Sequence, residues 1–210
     1  MNNKGSTKVI IIIVVALLVV LVGYLGFNWY QKVYGKSEYI PGIYSKADNI
    51  YQNDYFGIKC TLKKPWEVTK YVYDAEKVKS TLDSKQMVNE LYAQNKQGIE
   101  VIAFFVQQTP YNVKESGKDI NKMLDPLKDT FKSMMEQSGY NIENIERDSI
   151  TIAGENCEGF KMTGTMQGSS TKMSLVQYYV FKGNYMGAYT ASSTTVDKAK
   201  NALTKNFTTK

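Results

Sequence analysis

The chain has 210 residues, a formal net charge of +6 from 26 Lys and Arg against 20 Asp and Glu, two Cys and no His. Without imidazole, Ser-His-Asp and Cys-His catalysis, the common zinc enzymes and a histidine pH switch are all excluded. Two Cys are too few for a disulfide scaffold or an all-Cys zinc site, and the length allows one domain of ordinary size but hardly two.

Residues 9–27, VIIIIVVALLVVLVGYLGF, form a run of 19 without a charge. As a helix this run covers about 28 Å, the thickness of a hydrocarbon core, and only a helix satisfies its backbone there. A cleaved signal peptide would have a shorter apolar region ending in an A-x-A pattern, and the exit GYLGFNWYQ has neither that pattern nor a Cys to carry a lipid. The sequence therefore predicts an uncleaved single-pass anchor over 9–27, with residues 1–8 as a basic cytoplasmic tail. Trp29 and Tyr30 are expected at the far membrane interface, and the remaining chain outside the cytoplasm at the plasma membrane.

Residues 28–49 lack a sustained period, contain Pro41-Gly42 and are rich in Tyr, so they read as a linker or stalk. The domain is expected over 50–210. Alternation of Phe56, Ile58, Cys60 and Leu62 predicts a half-buried strand over 55–62 that Pro65 stops, with a short edge strand over 66–73. Residues 75–95 have helical composition that changes phase near Ser84, and Asp83 with Gln86 reads as a cap, so two helices are expected there. VIAFFV within 98–107 is apolar on both faces and predicts a central strand covered on both sides.

Ile120, Leu124, Leu127, Phe131, Met134 and Met135 define a helical face that Gly139 ends, with Asp125-Pro126 opening the main helix after a preceding turn. Four strands follow as two hairpins. Residues 145–152 and 156–166 flank Ala153-Gly154-Glu155, and 172–181 and 185–191 flank Lys182-Gly183-Asn184. Val196, Ala199, Leu203 and Phe207 form the stripe of a last helix, opened by a capping box of Thr194 and Asp197. Hairpin runs with segregated helices give an α+β class: a mainly antiparallel sheet with helices on both faces.

Tyr51, the run Asn53-Asp54-Tyr55-Phe56-Gly57-Ile58-Lys59, Pro65-Trp66, Ile152-Ala153-Gly154-Glu155, Gly159-Phe160-Lys161 and the run from Gln177 to Tyr185 together resemble the PsbP-like superfamily. The likeness is to its uncharacterised, membrane-anchored bacterial branch and would cover about residues 50–208. The superfamily includes the extrinsic lumenal subunit of photosystem II and a Ran-binding nuclear-import factor. The resemblance implies a central antiparallel sheet flanked by helices and a binding or assembly role. The family normally places a short spacer between the Pro and the Trp, whereas Pro65 and Trp66 adjoin. Metal-linked histidines of the photosynthetic members have no counterpart, so no metal or other cofactor is carried over.

Candidate sites are few. Cys60 and Cys157 fall on strand parities that point the two thiols to different sides of the sheet, which disfavours a bridge and favours two separate small core residues. Lys172-Met173-Ser174 and the acids Glu143, Glu146 and Asp148 lack the spacing of a catalytic set, and GTMQGSS at 164–170 reads as a hairpin loop rather than a phosphate loop. A single Arg and interspersed charges argue against nucleic acid as a partner. Trp66, Tyr178 and Tyr179 are the candidate ligand-facing or partner-facing aromatics, with core packing as the plainer reading of each. The expected function is a non-catalytic, membrane-anchored extracytoplasmic module that binds or helps assemble an envelope component. The bilayer holds residues 9–27, and an envelope protein or ligand is the other partner. A small-ligand or lipid receptor with a pocket between sheet and helices is the alternative, and an enzyme that works without His is the least favoured reading.

Overall fold

The computed structural model describes residues 39–71, 74–95, 100–109, 113, 120–137 and 139–210. The expected anchor over 9–27 and the aromatics Trp29 and Tyr30 lie outside these residues. Among the described residues no helix is long and apolar enough to cross a membrane.

Two antiparallel sheets organise the domain. The larger has seven strands: β4 (Trp66–Tyr71), β5 (Val88–Asn95), β6 (Val101–Gln108), β7 (Tyr140–Ile152), β8 (Glu155–Met166), β9 (Lys172–Lys182) and β10 (Tyr185–Ser193). Their spatial order is β4-β5-β6-β10-β9-β8-β7. The smaller sheet has the order β1-β2-β3-β11, from β1 (Ile43–Ser45), β2 (Ile50–Asn53), β3 (Ile58–Thr61) and β11 (Phe207–Thr209). Three helices complete the set: α1 (Ala75–Asp83), α2 (Ile120–Gln137) and α3 (Val196–Asn206).

Strand parity sorts the core into two layers. On β6, Ile102, Phe104 and Val106 join Val78 and Leu82 of α1, Ala199 and Leu203 of α3, and the inner residues Tyr51, Ile58, Cys60 and Phe207 of the small sheet. Val101, Ala103 and Phe105 face the other way and share a cluster with Leu124 of α2, while Met135 of α2 packs on Ile145, Met162 and Leu175. Helices thus cover both faces of the large sheet, as expected from a central strand apolar on both sides. The β7–β8 turn is a two-residue loop in which Ala153 and Gly154 both take positive φ, 50° and 80°, the geometry that matches the twist of a hairpin. Gly183 opens the β9–β10 turn with φ 53°.

Several expectations are corrected. Residues 88–95 are not a second helix but β5, because Lys85 takes φ 59° and ends α1, and the chain then pairs with both β4 and β6. A bulge between Asn89 and Leu91 breaks the two-residue period and produces the helix-like spacing of Val88, Leu91 and Tyr92. The helix α2 begins at Ile120 and runs through Pro126, which lacks the N–H that would bond back to residue 122. Thr195, not Thr194, caps α3, accepting from the Lys198 amide. Phe207 leaves that helix to start β11, which pairs with β3. Residues 39–49, within the expected linker, include β1 paired to β2. The strand over 55–62 and the edge strand after Pro65 do not pair with one another, since β3 belongs to the small sheet and β4 to the edge of the large one.

Candidate functional site

The α2 side of the large sheet carries a transverse row of side chains fixed by strand register. Tyr92 stands opposite Ala103, Ala103 opposite Thr190, Thr190 opposite Gln177, and Gln177 opposite Phe160. Ser192 lies two residues along β10 on the same face. The Tyr92 hydroxyl, the Thr190 hydroxyl, both amide atoms of Gln177 and the Ser192 hydroxyl are buried and find no hydrogen-bond partner among the described residues. The residues themselves are 1–5% exposed. Buried polar side chains in folded domains are overwhelmingly paired, and each one left without a partner costs about 1–3 kcal/mol. A row of four on one face is therefore a feature that packing alone does not favour.

The chemistry of the row is neutral. Burial pushes the Tyr92 hydroxyl up to about 12, so it stays protonated and donates; Gln177 offers one acceptor and a two-hydrogen donor, and the two aliphatic hydroxyls offer both. Ala103 and Ala188 leave a low floor, and Phe105, Phe160, Phe181 and Met186 supply apolar walls in the same cluster. At the β7 end Arg147 stands opposite Phe160, its guanidinium 5.1 Å from the ring centroid and 3.3 Å from the Asp125 carboxylate. The row can therefore hold and orient a molecule by hydrogen bonds.

A second polar cluster lies on the opposite face and ties the start of the described chain to the sheet. The β5 bulge places Glu90 beside Leu91 on the side of the small sheet. Its carboxylate, fully buried, accepts from the Tyr39 hydroxyl at 2.6 Å, the Tyr51 hydroxyl at 2.5 Å, the Asn53 amide at 2.9 Å and the Gly42 backbone amide at 3.0 Å. Burial raises the Glu90 pKa, and the four donors pull against that rise without cancelling it. Burial and the facing Glu90 charge push both tyrosine hydroxyls upward, which keeps them protonated as donors. Gly42 sits so close to Tyr51 that a Cβ would overlap the ring. Oε2 accepts from Gly42, Tyr51 and Asn53 and Oε1 from Tyr39, so this carboxylate is a latch between the first described residues and the sheet.

The candidates from sequence fall as follows. Tyr178 and Tyr179 are both buried, on opposite faces of β9, so neither ring is presented at the surface; β9 is a central strand covered on both sides. Tyr178 donates to Asp148 at 2.6 Å, and Lys200 of α3 stands 2.6 Å from the same oxygen. Burial pushes the Asp148 carboxyl up, but the Lys200 ammonium and the Tyr178 hydroxyl outweigh it and hold the pKa below the ordinary value. Glu146 pairs with Lys161 at 3.0 Å, so two of the acids singled out in sequence clamp structure together. Trp66 begins the edge strand β4, half-buried against the small-sheet side of the core. Cys60 and Cys157 are not disulfide-bonded. Their thiols lie in one core cluster and not on different sides, because Cys60 belongs to a second sheet folded over the first. The row of Tyr92, Thr190 and Gln177 was invisible to sequence reasoning: each is ordinary strand composition, and only the register of four strands aligns them.

No protein-family model matches the chain, and no curated protein does. Among solved structures it is similar to LpqN, described as involved in cell envelope biogenesis of Mycobacterium tuberculosis, at 11% identity over 72% of this chain and 82% of that one, with a TM-score of 0.41. It is similar to cyanobacterial PsbP from Synechocystis at 9% identity over 87% and 99% of the two chains, with a TM-score of 0.42. A Bacteroides thetaiotaomicron crystal structure matches at 8% identity over 73% of this chain and 45% of the other, with a TM-score of 0.38. Likeness at this level concerns shape alone, and function is argued from this chain's own residues.

Proposed function

We propose that this chain is a non-catalytic binding module, tethered to the plasma membrane by residues 9–27 with its folded domain outside the cytoplasm. It holds an uncharged small molecule on the α2 side of the large sheet. The observation that carries the reading is the row of Tyr92, Thr190 and Gln177, with Ser192 beside it: four neutral, buried hydrogen-bonding side chains without partners among the described residues. Such groups are retained at a cost in stability where recognition requires them. Their neutrality and the apolar walls from Phe105, Phe160 and Phe181 suit a ligand with hydroxyl or amide groups on an apolar frame. The charged groups elsewhere are committed to structure, Glu90 to its four donors and Asp148 to Lys200 and Tyr178. The tether rests on the uncharged run over 9–27 and the basic tail before it.

Purification of the full chain in mild detergent, followed by extraction and mass spectrometry of copurified small molecules, tests the proposal. A species enriched with the wild type and depleted from Gln177→Leu and Thr190→Val supports it. Identical small-molecule content in all three defeats the ligand reading, and a turnover that maps to named side chains defeats the non-catalytic one.

A further inference from the structure

The small sheet has an outer face that nothing in the described chain covers. Ile40 and Ile43 are the large apolar side chains left exposed among the described residues, 60% and 73%. With Pro41 and Ile50 they line an open groove on that face, with Gln52 and Lys59 on its rim. Strand register explains the grouping: Ile43 stands opposite Gln52, and Gln52 opposite Lys59, all pointing away from the core side that Tyr51, Ile58 and Cys60 occupy. The groove is not a loose tail. Tyr39 and Gly42, which bracket Ile40 and Pro41, are both bonded to the buried Glu90 carboxylate, so these side chains have a fixed direction relative to the large sheet.

We infer that this face is a membrane-contact surface, on which Ile40 and Ile43 sit in the headgroup–acyl boundary of the bilayer that anchors the chain; the inference rests on the tether proposed above. The length of chain supports a lipid occupant. Only residues 28–38 separate the apolar run from Tyr39, and eleven residues reach at most roughly 40 Å even when fully extended. The groove therefore opens from the first described residues, at the part of the domain held nearest the membrane. Its composition points the same way. Two exposed isoleucines with no aromatic or Arg anchor fall short of the roughly 800 Å² per partner that a stable protein interface buries. They are enough for a shallow insertion of about 5–10 Å. Of the acids beside the groove, Asp54 is paired with Lys210 at 2.7 Å, which lessens its repulsion of anionic headgroups.

The test uses the full chain in vesicles of phosphatidylethanolamine and phosphatidylglycerol with brominated acyl chains. A bimane label is placed at Ile43→Cys or, as control, at Ser170→Cys; the buried thiols of Cys60 and Cys157 are protected from labelling. Tyr39 packs on Tyr185 at the turn end of β9, whereas Ser170 precedes the other end of that eleven-residue strand, about 35 Å away. Bromolipid should quench position 43 severalfold more than position 170, and aqueous iodide should show the reverse. Equal, iodide-accessible signals from protein that floats with the vesicles overturn the inference while the tether stands. Protein that stays in the aqueous fraction overturns the tether, and this inference with it. Shielding at 43 that grows with protein-to-lipid ratio, with label self-quenching, assigns the face to a second copy and also overturns it.

Discussion

The substitution Thr190→Val probes the central row directly. Thr190 is 1% exposed, lies mid-strand in β10 between Ala103 and Gln177, and its hydroxyl has no hydrogen-bond partner among the described residues. Valine has the same branched shape and suits a strand at least as well. The exchange removes a buried hydroxyl whose desolvation costs about 1–3 kcal/mol and that makes no compensating bond, and it adds a methyl to an apolar wall. Against this stands imperfect repacking, which takes back a part of the gain. The net expectation is a stabilisation of about 1–2 kcal/mol. For a domain of this size each kcal/mol moves Tm by roughly 2–4 °C, so a rise of a few degrees is expected in thermal unfolding followed by circular dichroism. The midpoint in urea should move upward with an unchanged slope. An ordinary core hydroxyl with a good partner would behave in the opposite way, because its removal leaves that partner unsatisfied. A drop in stability of 1 kcal/mol or more would therefore show that Thr190 is bonded, and the case for a recognition row would go with it.

Three further predictions concern the clusters that hold the domain together. Because the Glu90 pKa is raised in the folded state, the folded chain keeps that proton to higher pH than the unfolded chain does. Its contribution is full below the unfolded glutamate value, roughly pH 4, and declines as pH rises through the folded value. Urea titrations across that window should show the decline in the wild type and its absence in Glu90→Gln; identical slopes would contradict it. Asp148 has the opposite sign: its folded pKa lies below the ordinary value, so its contribution is present above the unfolded aspartate value and is lost as pH falls through the folded one. Lys200→Met should cost about 1 kcal/mol or less at neutral pH and raise the pH of acid unfolding, and an unshifted acid midpoint would count against the clamp. Gly42→Ala forces a Cβ into the Tyr51 ring, with an expected loss of about 1–3 kcal/mol. Hydrogen exchange should show the residue 42 amide losing protection if that strain opens the Glu90 contact, and unchanged protection would exclude it.

What the sequence discloses follows from periodicity. The hairpins of β7–β8 and β9–β10, the doubly apolar β6 and the stripe of α3 are legible because each is a local pattern closed by local turn chemistry. Features that depend on another element are not. Phe207 continues the α3 stripe on paper, yet pairing with Cys60 draws it into β11. Nothing local marks the small sheet as separate from the large one, so the parity argument placed the Cys60 and Cys157 thiols apart when the fold puts both in one cluster. The row of Tyr92, Thr190 and Gln177 is the extreme case, spread over three strands from residue 92 to residue 190 with no spacing to announce it.

The bulge in β5 connects these points. With strict alternation Glu90 would share a face with Tyr92 and project toward the α2 side, adding a charge to the neutral row. The extra residue at 89–91 puts Glu90 and Leu91 on the small-sheet side together while Tyr92 keeps the α2 side. The same irregularity that gives residues 88–95 a helical look thus keeps Glu90 out of the row of Tyr92, Thr190 and Gln177. It also delivers a carboxylate to Tyr39, Gly42, Tyr51 and Asn53 on the other side. Through that carboxylate the first described residues are pinned to the large sheet, and the direction of Ile40 and Ile43 is set with them. A deletion that straightened β5 while holding Tyr92 in place would therefore disturb both faces together, placing a charge among Tyr92, Thr190 and Gln177 and releasing Tyr39 and Gly42 from the large sheet.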